Sequence, residues 1–298
     1  MKFTTLSLVV GNESCNAKCP FCVARQTFSI TPDKYFPNYK HLETACRLAQ
    51  SCGVTTCLLT GKGEPTLFPE EVRHFINVSS KYFPIIELQT NGIVFTRERD
   101  KWSKILSEWS AAGLTTIALS VVHFEDHKNQ IVYCGEKPKK RYPHLSDTLD
   151  FIHEFGISIR LSCIGIKDYI DSKEKLDMLV QYANKHNVEQ LTWRPVAVPD
   201  RSRNDKVSNA ARKMTIPENV IQNISQRINC SGTLLLRLPH GASIYDIPVK
   251  DIDGNIRGQN LCLSNCLTMT PDPESIRQLI YVNAHLRYDW THEGAIIL

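Results

Sequence analysis

Long hydrophobic runs are missing from this 298-residue chain: none approaches the ~20 apolar residues that a membrane span requires. A strong charge of one sign is missing too, since 35 Lys and Arg stand against 31 Asp and Glu. That balance gives no argument for a nucleic-acid partner. There is no low-complexity tract, and 42% hydrophobic with 22% charged residues lies far from the disordered regime. Segment 3–10 is apolar behind Lys2, but it is short, contains Thr and Ser, and precedes no small-residue cleavage site. It reads as a buried strand rather than a leader peptide. The expectation is a soluble, cytoplasmic protein with no membrane partner.

Cysteine, by contrast, is plentiful. Eleven residues in a chain of this length, an odd number with no sign of secretion, exclude a disulfide framework. Cysteines in a reducing compartment are core filler, metal ligands or nucleophiles, and spacing must separate these roles. Cys46, Cys52 and Cys57 fall in a helix-then-strand stretch and read as packing residues.

Apolar, β-branched runs recur at 3–10, 54–60, 85–90, 114–122, 157–164 and 188–193. Helical spacing lies between them: Trp102, Ile105, Leu106 and Trp109 share one face, as do Leu176, Leu179, Val180 and Ala183. Gly53, Gly113 and Gly156 stand where helices should stop. Six strand–helix units predict an α/β fold with a parallel sheet. A doubly wound sheet and a barrel are both compatible, and six units point to an incomplete (β/α)6 barrel. Chemistry in such folds gathers at the carboxyl ends of the strands, so loops 11–37, 61–68, 91–96, 123–144 and 165–171 should share one face. After Arg194 the rhythm breaks; strands are predicted at 233–238 and 278–283, with a turn at 253–255. The expected division is 1–199 for the partial barrel and 200–298 for a small α+β subdomain.

Cys15, Cys19 and Cys22 follow directly on the first strand. Three thiolates within eight residues suit three irons of a [4Fe–4S] cubane, leaving one iron open because no fourth cysteine is near. A zinc site and unconnected core cysteines remain alternatives at this point.

The stretch Cys15-x3-Cys19-x2-Cys22, with Phe21 before the last cysteine, resembles the signature of the radical S-adenosylmethionine (SAM) superfamily. The resemblance implies a [4Fe–4S] cluster on Cys15, Cys19 and Cys22, with SAM chelating the open iron and Phe21 beside the adenine. It also implies reductive cleavage to a 5′-deoxyadenosyl radical, and an electron donor such as flavodoxin or ferredoxin. Thr60–Pro65 is similar to the family's Gly-Glu-Pro motif, through Gly61, Gly63, Glu64 and Pro65, with Glu64 set to pair with the SAM ammonium. Thr90-Asn91-Gly92 resembles a segment found after the third strand. Ser120, Ser162 and Arg194 are placed by the resemblance near the cofactor, Thr90 and Arg160 near substrate. Coverage runs over residues 3–195, and the resemblance is strongest to the molybdenum cofactor biosynthesis protein A-like subgroup. Arg160 and Arg194 have a second reading, as partners of buried acids.

The C-terminal part departs from that subgroup. Cys262-x3-Cys266 has no cysteine after it, and only Cys230 is left as a third ligand for an auxiliary Fe–S cluster. The alternative is a degenerate subdomain without a cluster, which argues against molybdenum cofactor cyclisation itself. The long loop after the fourth strand carries Lys137, Lys139, Lys140 and Arg141, which suggests a small anionic substrate, phosphorylated or nucleotide-like, unless the loop is simply solvated. Cys134 in the same loop is a candidate hydrogen-atom donor. Radical modification of a peptide or tRNA, and a non-catalytic Fe–S or zinc protein, are the competing readings.

Overall fold

The computed structural model describes residues 2–28, 30, 37–137, 141–238, 241–250, 253–264, 275–290, 292 and 294–298. The six expected strands are β1 (Lys2–Val9), β2 (Thr56–Thr60), β3 (Ile85–Thr90), β4 (Thr116–Val121), β5 (Ser158–Gly165) and β6 (Gln190–Pro195). Each pairs in parallel with the next. The crossovers carry helices α1 (Val23–Gln26), α2 (Leu42–Ser51), α3 (Pro69–Ser79), α4 (Arg99–Ala112), α5 (Asp126–Tyr133), α6 (Leu145–His153) and α7 (Lys173–Lys185). Pro69 opens α3 at a position where its missing N–H costs nothing, and Gly113 closes α4 at φ 113°, a conformation few side chains tolerate.

The C-terminal third contributes α8 (Asp205–Lys213), α9 (Glu218–Ser231), β7 (Thr233–Arg237), β8 (Ser243–Lys250), β9 (Ile256–Leu263), β10 (Ser275–Val282) and β11 (His285–Arg287). These strands extend the same sheet at both edges, giving the order β11-β10-β1-β2-β3-β4-β5-β6-β9-β8-β7. β10 lies parallel to β1 and β9 parallel to β6, while the β8–β9 hairpin turns around the segment 253–255. Among the described residues no helix is long and apolar enough to cross a membrane.

The two faces of the sheet differ sharply. Leu6, Leu59, Leu88, Leu119, Leu161 and Trp193 alternate onto one face and join Trp102, Leu149 and Leu176 from the helices in one continuous core. By the period of two, the opposite face carries Ser7, Glu87, Ser120, Arg160, Ser162, Thr192 and Arg194. A doubly wound sheet buries both faces under helices and reads as apolar throughout, so the polar face argues against that alternative. On it, Arg160 reaches past Ala118, its partner in β4, to the Glu87 carboxylate on β3; Nε donates to Oε2 at 2.7 Å, and Nη1 donates to the Thr192 hydroxyl at 3.2 Å. The Arg160 and Glu87 side chains are 19% and 8% exposed.

Removing one partner of such a pair leaves an uncompensated charge. Glu87→Ala is expected to cost about 3–5 kcal/mol in urea denaturation, and Glu87→Met combined with Arg160→Met to recover most of that loss.

Candidate active site

The loops after the parallel strands meet on one face, as their backbone bonds record. Glu64 N donates to Ser14 O at 2.9 Å, Lys18 N to Tyr133 O at 2.9 Å, Val196 N to Gly165 O at 2.8 Å, and Arg203 N to Gln26 O at 2.8 Å. The turn between β2 and α3 lies against the cysteine loop so closely that a Cβ on Gly63 would stand 2.0 Å from Ser14 O. Gly61 is tight against Val10 O, at 3.1 Å, and Pro65 starts a short 3-10 turn, Pro65–Leu67.

Glu64 is buried at the centre of this arrangement. Its Oε1 accepts from Thr66 N at 3.0 Å, Thr66 Oγ1 at 2.7 Å and Thr90 Oγ1 at 2.6 Å, and its Oε2 accepts from Asn91 N at 3.0 Å. Asn91 continues the chain of contacts: Nδ2 donates to Asn16 Oδ1 at 2.7 Å and approaches Cys15 Sγ at 4.0 Å. Burial raises the Glu64 pKa above the ordinary carboxylate value despite these four donors.

Cys15, Cys19 and Cys22 are free thiols on one loop, Cys15 exposed and the others half-buried. Desolvation pushes Cys15 up to about 11, and burial followed by the fields of Cys22 and Cys15 pushes Cys19 higher still. Cys15 and Cys19 therefore stay protonated until a metal displaces the protons. Among the described residues no three His, Cys, Asp or Glu side chains close around a point that would hold a single metal ion. A cubane asks for something else, one iron per thiolate. Three free thiols, a buried carboxylate with donors but no cation partner among the described residues, and the unpaired guanidinium of Arg194 on the polar face fit a [4Fe–4S] cluster with an amino-acid-bearing ligand.

Several residues are placed differently from expectation. Thr90 shares the face of Ile86 and Leu88, and its hydroxyl is committed to Glu64 while accepting from Gly92 N at 3.0 Å, so it braces the turn instead of facing a substrate. Arg160 is neutralised by Glu87 and is not a free anion site. Cys230 is exposed on α9, whose Ile224 and Ile228 pack into the helix-side core and whose Asn229 side chain takes the Tyr245 hydroxyl hydrogen bond. Cys262 pairs with Thr192 on the polar face. The sheet stands between these two cysteines, so they do not share a cluster; Cys266, Lys139 and Lys140 lie outside the described residues.

Ser120, Ser162, Thr192 and Cys262 form one register row across β4, β5, β6 and β9. Arg194, one step nearer the loops, is half-buried beside Ile164 and has no hydrogen-bond or ion-pair partner among the described residues. Phe21 is buried against Ile93, Val122, Tyr133 and Ile166, with Cys19, Cys134 and Ile164 packed around that cluster. Burial raises the pKa of the Cys134 thiol, and the field of Arg97 opposes that rise. Sequence reasoning passed over Lys62, whose buried Nζ donates to Thr27 Oγ1 at 2.6 Å and which burial and then Arg203 bring down to about 8. It passed over Tyr133 as well, whose buried hydroxyl has no partner among the described residues. A buried donor left unpaired costs about 1–3 kcal/mol.

The Radical SAM superfamily model matches residues 9–176. The chain belongs to that superfamily. Its members are enzymes, and the thiols, the Gly61–Pro65 turn and the ends of β3 and β4 all lie inside the matched span. GTP 3′,8-cyclase of Campylobacter curvus is 25% identical over 177 residues, 59% of this chain and 50% of that protein. The Sulfurovum sp. GTP 3′,8-cyclase is 25% identical over 179 residues, again 59% and 50%. The chain thus spans about half the length of the curated relatives it matches. Streptococcus suis SuiB bound to S-adenosylmethionine shares the fold with a TM-score of 0.61 at 14% identity, covering 98% of this chain and 61% of that one. Native anSMEcpe with bound AdoMet gives 0.52 at 14% identity, covering 76% and 59%.

Gly63→Ala is expected to abolish iron retention after anaerobic reconstitution, because the atom it meets is backbone and cannot swing aside. Gly294→Ala, where a Cβ meets nothing within 4 Å, should bind iron like the parent; iron and sulfide analysis of both checks this.

Proposed function

We propose that this chain cleaves SAM reductively at a [4Fe–4S] cluster held by Cys15, Cys19 and Cys22, and directs the resulting reactivity at a small anionic, nucleotide-like substrate. The observation that carries the reading is the trio of free, mutually coupled thiols on one loop, inside the span matched by the superfamily. When bound, cluster and SAM together supply a 5′-deoxyadenosyl radical that takes a hydrogen atom from the substrate. The remaining steps belong to the chain itself. Glu64 offers the ammonium of SAM a carboxylate already fixed by four donors, with capacity left on Oε2, where a single bond is accepted. Phe21 and its neighbours give the adenine an apolar surface that excludes water. Ser120 and Ser162 line the polar face in front of the cofactor.

We read the sheet as an open partial barrel, with the polar face as its lumen and residues 200–298 as an appended subdomain whose strands widen it. The Glu87–Arg160 pair leaves little net charge in the middle of that lumen, so an anionic substrate would meet its cation nearer the loops, at Lys62. The nucleotide preference draws support from relatives named for GTP cyclisation. Cys134 stays a candidate hydrogen donor at the edge of the same cluster, and a small acidic redox protein of the flavodoxin or ferredoxin kind would deliver the electron.

Reconstituted anaerobically, the protein should hold about four irons per chain and absorb near roughly 400 nm, and with dithionite should convert SAM to 5′-deoxyadenosine. Cys19→Ala should lose both the absorption and the product. Full retention of the absorption in that variant would show that the ligands are other residues.

A further inference from the structure

Tyr133 ends α5 and is almost wholly buried, yet its hydroxyl finds no hydrogen-bond partner among the described residues. Its ring is held firmly: it stacks on Tyr142 with centroids 5.7 Å apart and planes 18° from parallel, and it packs in the cluster that contains Phe21 and Ile166. Its carbonyl takes the Lys18 N–H, which fastens the cysteine loop to the end of the same helix. Cys19 and Ile164 pack against this cluster, and Ile164 is the register partner of Arg194. The phenol thus shares one packed cluster with Cys19 and with Ile164, the strand neighbour of the unpaired Arg194, whose charge acts on it. A phenol is a donor at any working pH. A phenolic O–H beside a guanidinium is a pair of donors with no acceptor, and a carboxylate is the group that satisfies both.

We infer that Tyr133 is a SAM-binding residue, its O–H and the Arg194 guanidinium together seating the carboxylate at the amino-acid end of the cofactor. The inference rests on the radical SAM reading of the cysteine loop and adds to it a residue outside every motif of that reading. The position beside Cys19 favours the cofactor over a substrate anion, because the amino-acid end of SAM is the part that approaches the cluster.

The test is Tyr133→Phe on the full, anaerobically reconstituted chain, with isothermal titration of SAM and of 5′-deoxyadenosine, which lacks the carboxylate. SAM should bind about 5- to 10-fold more weakly, the loss expected for one hydrogen bond. Binding of 5′-deoxyadenosine should be unchanged, and so should iron content. The melting temperature of the ligand-free variant should be no lower than the parent's, since an unpaired hydroxyl contributes no bond to the resting fold. Combined with Arg194→Met, the loss should fall short of the product of the two single losses, as expected for donors sharing one carboxylate. Equal SAM affinity in parent and Tyr133→Phe, an equal loss for 5′-deoxyadenosine, reduced iron content, or full additivity would each overturn the assignment while leaving the radical SAM reading intact. A parent protein that retains iron and binds no SAM would overturn both.

Discussion

One buried carboxylate holds the loop layer together. Glu64 accepts from the Thr66 amide and hydroxyl in its own turn, and from the Thr90 hydroxyl and Asn91 amide at the end of the neighbouring strand. Asn91 passes the constraint to Asn16, in the middle of the cysteine loop. Three strand ends are thereby fixed relative to one another by polar contacts that water cannot readily replace, because the acceptor is buried. Directional bonds of this kind set position better than apolar packing does, and a site that must place a ligand against three thiols requires position above all. The cost is a carboxylate buried without a cation, which is reflected in its raised pKa.

The asymmetry of the sheet explains why such a network is tolerated. One face carries the main apolar core, with helices α2, α3, α4, α6, α7 and α9 packed against it. The other is released from that duty and can carry acids, hydroxyls and guanidinium groups. Even there charge is contained: Arg160 crosses over Ala118, the small residue that leaves it room, to meet Glu87 and Thr192. Arg194 has no such partner among the described residues, although it lies one turn of the same alternation away. Two arginines on adjacent strands thus have different surroundings, and only one is available to a ligand.

Much of this was legible in the chain itself. The alternation of β-branched runs and helical spacing located β1 to β6 within two residues at most ends, and the cysteine spacing identified the loop that the family match encloses. What differs or was missed has physical causes. Thr90 was read as a substrate contact; counting by twos from Ile86 and Leu88 puts it on the helix side, where its hydroxyl donates to Glu64. Glu87 was overlooked, although an acid in the run Ile85–Thr90 and an arginine in a strand two places away needed one another once both were buried. The parallel docking of β10 on β1 has no local signal at all, because a strand's own pattern does not specify a partner some 270 positions distant. Tyr133 was invisible for a simpler reason: at the end of an amphipathic helix an aromatic reads as packing, and an unsatisfied hydroxyl is recognised only when its surroundings are known.

That distant docking has a consequence for how the protein is made. Until residues 275–282 leave the ribosome, β1 has a neighbour on one side only, and the Ser7 hydroxyl has yet to meet Gln278. The cysteine loop hangs from the far end of β1. It is translated well before β10, so through that interval its thiols hang from an incompletely paired strand. Within that interval the loop is open to metal delivery, and equally exposed to oxidation.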